Sequence, residues 1–226
     1  MTNDTGRLIR DLAANMKPVR ALPRPSTRAV VWLGLSLPYL LFMVFLLRPA
    51  DGLGSKFSDQ PFLIEQLAAL ATGVTAAFAA FATTAPGYSR AFALAPLVPL
   101  AIWMGDLGQA CLHDVRTFGA YGWSVAGHWA CFPLTVLVGA LPAVVMVVML
   151  RRGAPLTPRL TTWLGALAVA GLGNVGVRFV HAFDASLIVL AWHVGAVFGV
   201  SALLALGGRH FLRWQTVTFP VRPTNT

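Results

Sequence analysis

The sequence predicts an all-α, polytopic integral membrane bundle of six transmembrane helices, preceded by a short cytoplasmic amphipathic helix. Three observations predict it. Of 226 residues, 57% are apolar and only 11% charged, whereas soluble domains carry about a quarter charged residues. The apolar residues gather into six runs of about 19–24 residues, each long enough to cross roughly 30 Å of hydrocarbon at 1.5 Å per residue. The basic residues fall mostly on one side of those runs, thirteen of seventeen. This balance excludes an ordinary globular enzyme, a disordered chain and a disulfide-rich secreted scaffold. Only two cysteines are present, too few for a disulfide framework.

The chain divides into a polar, basic segment over 1–28, a membrane domain over 29–208 and a C-terminal tail over 209–226. In the first segment Leu8, Ile9, Leu12 and Met16 recur at helical spacing, with Arg7, Arg10 and Asp11 around the other face. Asn3, Asp4 or Thr5 can cap that helix, and Pro18 ends it. About three turns are marginal alone in water, so the helix needs a surface that covers its apolar stripe. Without a bulky aromatic, a protein groove suits it better than the anionic face of a bilayer. Pro18, Pro23 and Pro25 then form a stiff tether.

The six expected spans are Ala29–Leu47, Phe62–Thr84, Ala91–Leu112, Gly127–Leu150, Thr161–Val180 and Ser186–Leu206. Backbone polar groups in hydrocarbon need internal partners, so each run reads as a helix. The first run is too long, and too far from the start, for a signal peptide, and "LLFMVFLLRPADG" has no small-residue cleavage pattern. The basic side faces the cytoplasm by the positive-inside rule, which puts both termini there and the protein in a bacterial inner membrane. The net charge of +9 is thus largely a topology signal, and direct nucleic-acid binding is not expected. Pro38, Pro96, Pro99, Pro133 and Pro142 should kink helices. The small-residue stretches Leu67–Ala85 and Gly165–Gly176 read as close packing within one bundle, with a homodimer face as the sharper alternative.

Polar residues concentrate at the outer ends of the spans. Asp106, Cys111 and His113 end the third span, and His128 and Cys131 open the fourth. Arg178, His181 and Asp184 lie at the hairpin joining the fifth and sixth spans, His193 lies within the sixth, and Glu65 starts the second. Ionisable groups inside a membrane are costly unless paired, which makes Asp106, Arg178, Asp184 and His193 candidates for function. Asp106 and Arg178 can neutralise each other; Arg178 can instead snorkel to headgroups. Cys111 and Cys131 lie where adjacent helices meet in an oxidising compartment. They read first as a redox- or metal-responsive pair, second as inert buried thiols. In third place stands a constitutive zinc or copper site that includes His113 and His128.

Six spans, the N-terminal "TGRLIRDLAANMKPVRALPRP", "GHWAC" opening the fourth span, the outer Cys111 and "DASLIVLAWH" ending at His193 together resemble the NrsF family, negative regulators of sigma F. The resemblance covers nearly the whole chain. It implies a membrane anti-sigma factor, not an enzyme, that sequesters an extracytoplasmic-function sigma factor and releases it on an envelope signal. It places sigma binding on Leu8, Ile9, Leu12, Met16, Pro18, Val19 and Arg20, and sensing on Cys111 and Cys131. One departure stands out. The family pattern includes a further cysteine in the last hairpin, where Val180–Ser186 here reads "VHAFDAS"; His181 or Asp184 is the candidate substitute ligand. Two other classes compete. A small ion-coupled transporter would use Asp106, Arg178 and His193, but needs polar groups continuing to the cytoplasmic side. A haem- or quinone-linked redox protein would pair His128 with His193.

Overall fold

In a computed structural model, residues 2–15, 22–47, 57–85, 87–118, 131–153, 157–180 and 195 are described. They form α1 (Thr2–Ala14), α2 (Pro25–Leu47), α3 (Gln60–Ala82), a 3-10 turn (Arg90–Leu94), α4 (Leu97–Phe118), α5 (Cys131–Arg151) and α6 (Pro158–Val180). Every element among the described residues is helical, and five helices are long and apolar enough to cross a membrane. The expected sixth span, Ser186–Leu206, lies outside the described residues except for Gly195, as does the C-terminal tail.

Prolines set the starts. Pro25 opens α2 and Pro158 opens α6, while Pro61 sits in the first turn of α3 behind Asp59. The first turn has backbone N–H groups without helical partners, so proline costs nothing there. For the same reason Pro99 and Pro133, in the first turns of α4 and α5, are starting residues rather than the kinks expected of them. The third expected span is also divided. Ser89 Oγ accepts from the Ala91 N–H at 3.2 Å to start the 3-10 turn, and α4 begins only after Pro96.

Pro38 and Pro142 do lie inside helices, in α2 and α5. Carbonyls near Pro142 find donors on α2. Trp32 Nε1 donates to Pro142 O at 3.0 Å, and the Tyr39 hydroxyl donates to Leu137 O at 2.6 Å. In a dry bundle these bonds replace water for backbone oxygens around the proline.

The centre is α3, which packs on α2, α4 and α6 and is buried around most of its circumference. Its most extensive partner is α6. Glycine makes that approach feasible: a Cβ at Gly171 would stand 2.6 Å from Ala69 O and 2.8 Å from Gly73 N. The small-residue stretches of the two spans therefore pack on each other, as the intramolecular reading expects. From α2, Ala29, Trp32, Ser36 and Leu40 face inward at helical spacing. Val30, Leu41, Phe42 and Phe45 are exposed on its far side, with Val98 on α4 and Val144 on α5. Such a broad apolar exterior suits lipid tails rather than water.

Candidate functional site

α1 begins earlier and ends sooner than the sequence suggests. Asn3, Asp4 and Thr5, expected as caps, lie inside it, with Asp4 in the first turn where a carboxylate complements the helix dipole. Asn15 closes the other end, its N–H and Nδ2 both donating to Asp11 O at 3.1 and 2.8 Å. Leu8, Ile9 and Leu12 are 59%, 60% and 60% exposed. The apolar stripe is formed but bare. Met16, Pro18, Val19 and Arg20 lie outside the described residues.

At the opposite end of α2 from this arm, α3 and α6 form a polar centre. Because the two helices run antiparallel, the start of α3 meets the end of α6 there. Glu65 is 3% exposed. Arg178 Nη2 donates to Glu65 Oε2 at 2.8 Å, while Nε reaches Oε1 and Oε2 at 3.1 and 3.2 Å. Asn174, one turn before Arg178, adds an Nδ2 donor to Oε1 at 3.3 Å. The Arg178 guanidinium lies 5.8 Å from the centre of the Phe62 ring, and Phe62 packs edge-on against Phe179. A carboxylate held by three donor groups is a satisfied buried charge.

This changes the assignment of Arg178. The expected partner was Asp106; the ion pair forms with Glu65 instead. Asp106, half-buried on α4, interacts electrostatically with Glu65 and Arg178 as well as Asp59. Helical register decides the choice: α3 lies against α6 over much of its length, and Glu65 falls at the level of Arg178. Sequence reading noted Glu65 but gave it no role, and it missed Asn174. Their signal was available as Asn174 and Arg178 four apart, on one face of an otherwise apolar helix. Asn174 Oδ1, both polar atoms of Gln66 and Trp103 Nε1 are buried without a hydrogen-bond partner, so this end retains unused polar capacity.

Cys111 is a free, partly buried thiol on α4, and His113 on the same helix is exposed. Cys131 is the first residue of α5. His128, His181, Asp184 and His193 lie outside the described residues. Among the described residues no three His, Cys, Asp or Glu side chains group as a metal ion would require.

A second polar centre occupies the other end of the bundle, around Arg28, which the sequence reading counted only among the basic residues of one side. Arg28 is only 5% exposed. Its Nη1 donates to Thr84 Oγ1 at 2.6 Å, its Nη2 donates to Met149 O, and its guanidinium sits 4.6 Å from the centre of the Phe81 ring. Nearby, the Thr83 and Thr161 hydroxyls share a 2.7 Å hydrogen bond. Glu65 and Phe81 are separated by about 24 Å of helix rise. Ala76, Ala77, Ala168, Leu172 and Val138 fill the apolar core between.

Comparison with curated proteins and with solved structures gives no match. The family model for NrsF, negative regulator of sigma F, matches residues 12–214. That match covers most of the chain, and the chain belongs to the NrsF family.

Proposed function

We propose that this chain is a multi-pass inner-membrane anti-sigma factor that holds an extracytoplasmic-function sigma factor and releases it on a periplasmic signal. A family of negative regulators of sigma F implies a sigma factor as partner. The observation that carries the docking site is the bare stripe of Leu8, Ile9 and Leu12 on α1. Covering each of these side chains contributes about 1–2 kcal/mol, enough to stabilise a 13-residue helix that is marginal on its own. Met16, Pro18, Val19 and Arg20 continue the docking segment. The basic excess supports cytoplasmic termini, which puts this arm where a sigma factor can reach it.

The signal-receiving end is then the one that carries Glu65, Asp106, Cys111 and Arg178, with Cys131 opening α5 beside the same expected loop. Oxidation joins the two Sγ atoms and passes two electrons to a disulfide oxidant, with loss of two protons. A bridge between α4 and α5 favours one packing of the bundle over another, and release follows if that packing binds the sigma factor less tightly. A tenfold change in retention needs about 1.4 kcal/mol of such preference.

The test is co-purification of the detergent-solubilised full chain with its sigma factor. Deleting residues 2–20 is expected to abolish co-purification while membrane insertion persists. Retention by the truncated chain would place the docking site elsewhere.

A further inference from the structure

The sequence places Arg28 just inside the first membrane helix, four residues after the short non-helical stretch 22–24 that leads out of the arm. An arginine so close to a helix end normally reaches for water or headgroups. Here it turns into the bundle and is nearly sealed from solvent. Among the described residues its hydrogen-bond partners are a hydroxyl and a carbonyl rather than a carboxylate.

Those partners share a feature. Thr84 lies two residues past the end of α3, and Met149 is in the last turn of α5. The last carbonyls of a helix lack intrahelical donors and carry the negative end of its dipole. Arg28 therefore puts its positive charge between two helix C-termini and donates directly to one of their orphan carbonyls. Thr84 is fixed for this role, since its hydroxyl donates to Phe81 O at 2.7 Å and so presents a lone pair to Arg28. The Phe81 ring closes the socket from α3. From the α5 side Gly153 leaves room for Thr84: a Cβ there would stand 2.8 Å from Thr84 Cβ and 2.9 Å from its Oγ1.

We propose that Arg28 is a positioning residue that fixes the root of the sigma-binding arm to the ends of α3 and α5. This rests on the reading of α1 as the docking helix and adds where the chain that leads out of that helix is anchored on the bundle. α3 carries Glu65 near its start and Phe81 near its end, with Thr84 two residues beyond it, so one helix joins the charge pair at one end to the arm's anchor at the other. Without the anchor, α1 keeps its apolar stripe but loses a fixed origin.

The experiment uses the full chain in detergent with Cys111 and Cys131 replaced by serine and spin labels at Leu22→Cys and Arg159→Cys. A second pair at Gln60→Cys and Gln109→Cys reports the other end. The expected result is a single narrow Leu22–Arg159 distance that loses its narrow peak in Arg28→Gln and in Thr84→Val, with the Gln60–Gln109 distance unchanged. Gly153→Ala, which crowds Thr84 from α5, is expected to act in the same way. A narrow Leu22–Arg159 peak in all three variants overturns the proposal. So does equal broadening of both pairs, the signature of general loosening. A chain lacking residues 2–20 separates the two readings: it is expected to keep the narrow peak and lose the sigma factor, whereas sigma retention by it removes the docking helix and with it the arm that Arg28 is said to position.

Discussion

Arg178 and Glu65 meet through two nitrogens and two oxygens across the α3–α6 interface, the closest contact being 2.8 Å between Nη2 and Oε2. Neutralising one member strands the other. Glu65→Gln is therefore expected to destabilise the bundle by about 3–5 kcal/mol, read as a shift in its unfolding midpoint in mixed micelles. Replacing both residues by leucine is expected to cost less than Glu65→Gln alone, because no buried charge then lacks a partner. Asp106 lies in the field of both groups, so Glu65→Gln with Asp106→Asn should cost more than the sum of the two single losses. Strict additivity in that cycle would remove Asp106 from the centre.

Gly171 gives a sharper steric prediction. Its missing Cβ is what allows Ala69 O and the Gly73 backbone to come so near. Gly171→Ala is expected to force α3 and α6 apart and cost about 1–3 kcal/mol. Gly34→Ala on exposed α2 backbone, where nothing lies within 4 Å of the new methyl, is expected to be tolerated. Equal midpoints for the two variants would contradict the observed crossing.

The five long apolar helices were legible because hydropathy and length act through the solvent, without reference to any partner. Their starts were less so: Pro25, Pro61 and Pro158 lie outside or at the margin of the apolar runs, yet each opens a helix because φ is already set. The choice of Glu65 over Asp106 for Arg178 depends on which helix lies beside α6, and a linear pattern does not contain that. The setting of Arg28 was hidden for a related reason. Charge counting assigns a boundary arginine a side but says nothing of its burial, which two helix C-termini and an aromatic face make tolerable. Asn174 was overlooked because its role exists only opposite Glu65. The arm's stripe was readable, since a helical period needs no tertiary information.

The cysteine proposal separates holding from sensing. In a chain with Cys111→Ser and Cys131→Ser, sigma-factor retention is expected to equal wild type, while oxidant-triggered release is lost. A membrane-impermeant maleimide added from the periplasmic side is expected to label the reduced wild-type thiols. Normal release by the double variant would remove the pair from the signalling path, and labelling only from the cytoplasmic side would reverse the proposed orientation.

The arm makes the last prediction. Leu12 lies on the exposed stripe of α1 with Leu8 and Ile9, and Leu12 is where the NrsF family match begins. A carboxylate there must be desolvated to enter an apolar groove. Leu12→Asp is expected to weaken sigma-factor binding by at least about 30-fold, which corresponds to about 2 kcal/mol. The unfolding midpoint of the bundle should not move, because this side chain is exposed and outside the buried clusters. Arg7→Gln, on the polar face, is expected to change binding far less and mainly through its salt dependence. The measurement is titration of the purified sigma factor onto the full chain in nanodiscs at two ionic strengths. If Leu12→Asp binds as wild type while Arg7→Gln does not, contact is made through the charged face, and the apolar stripe is not the docking surface.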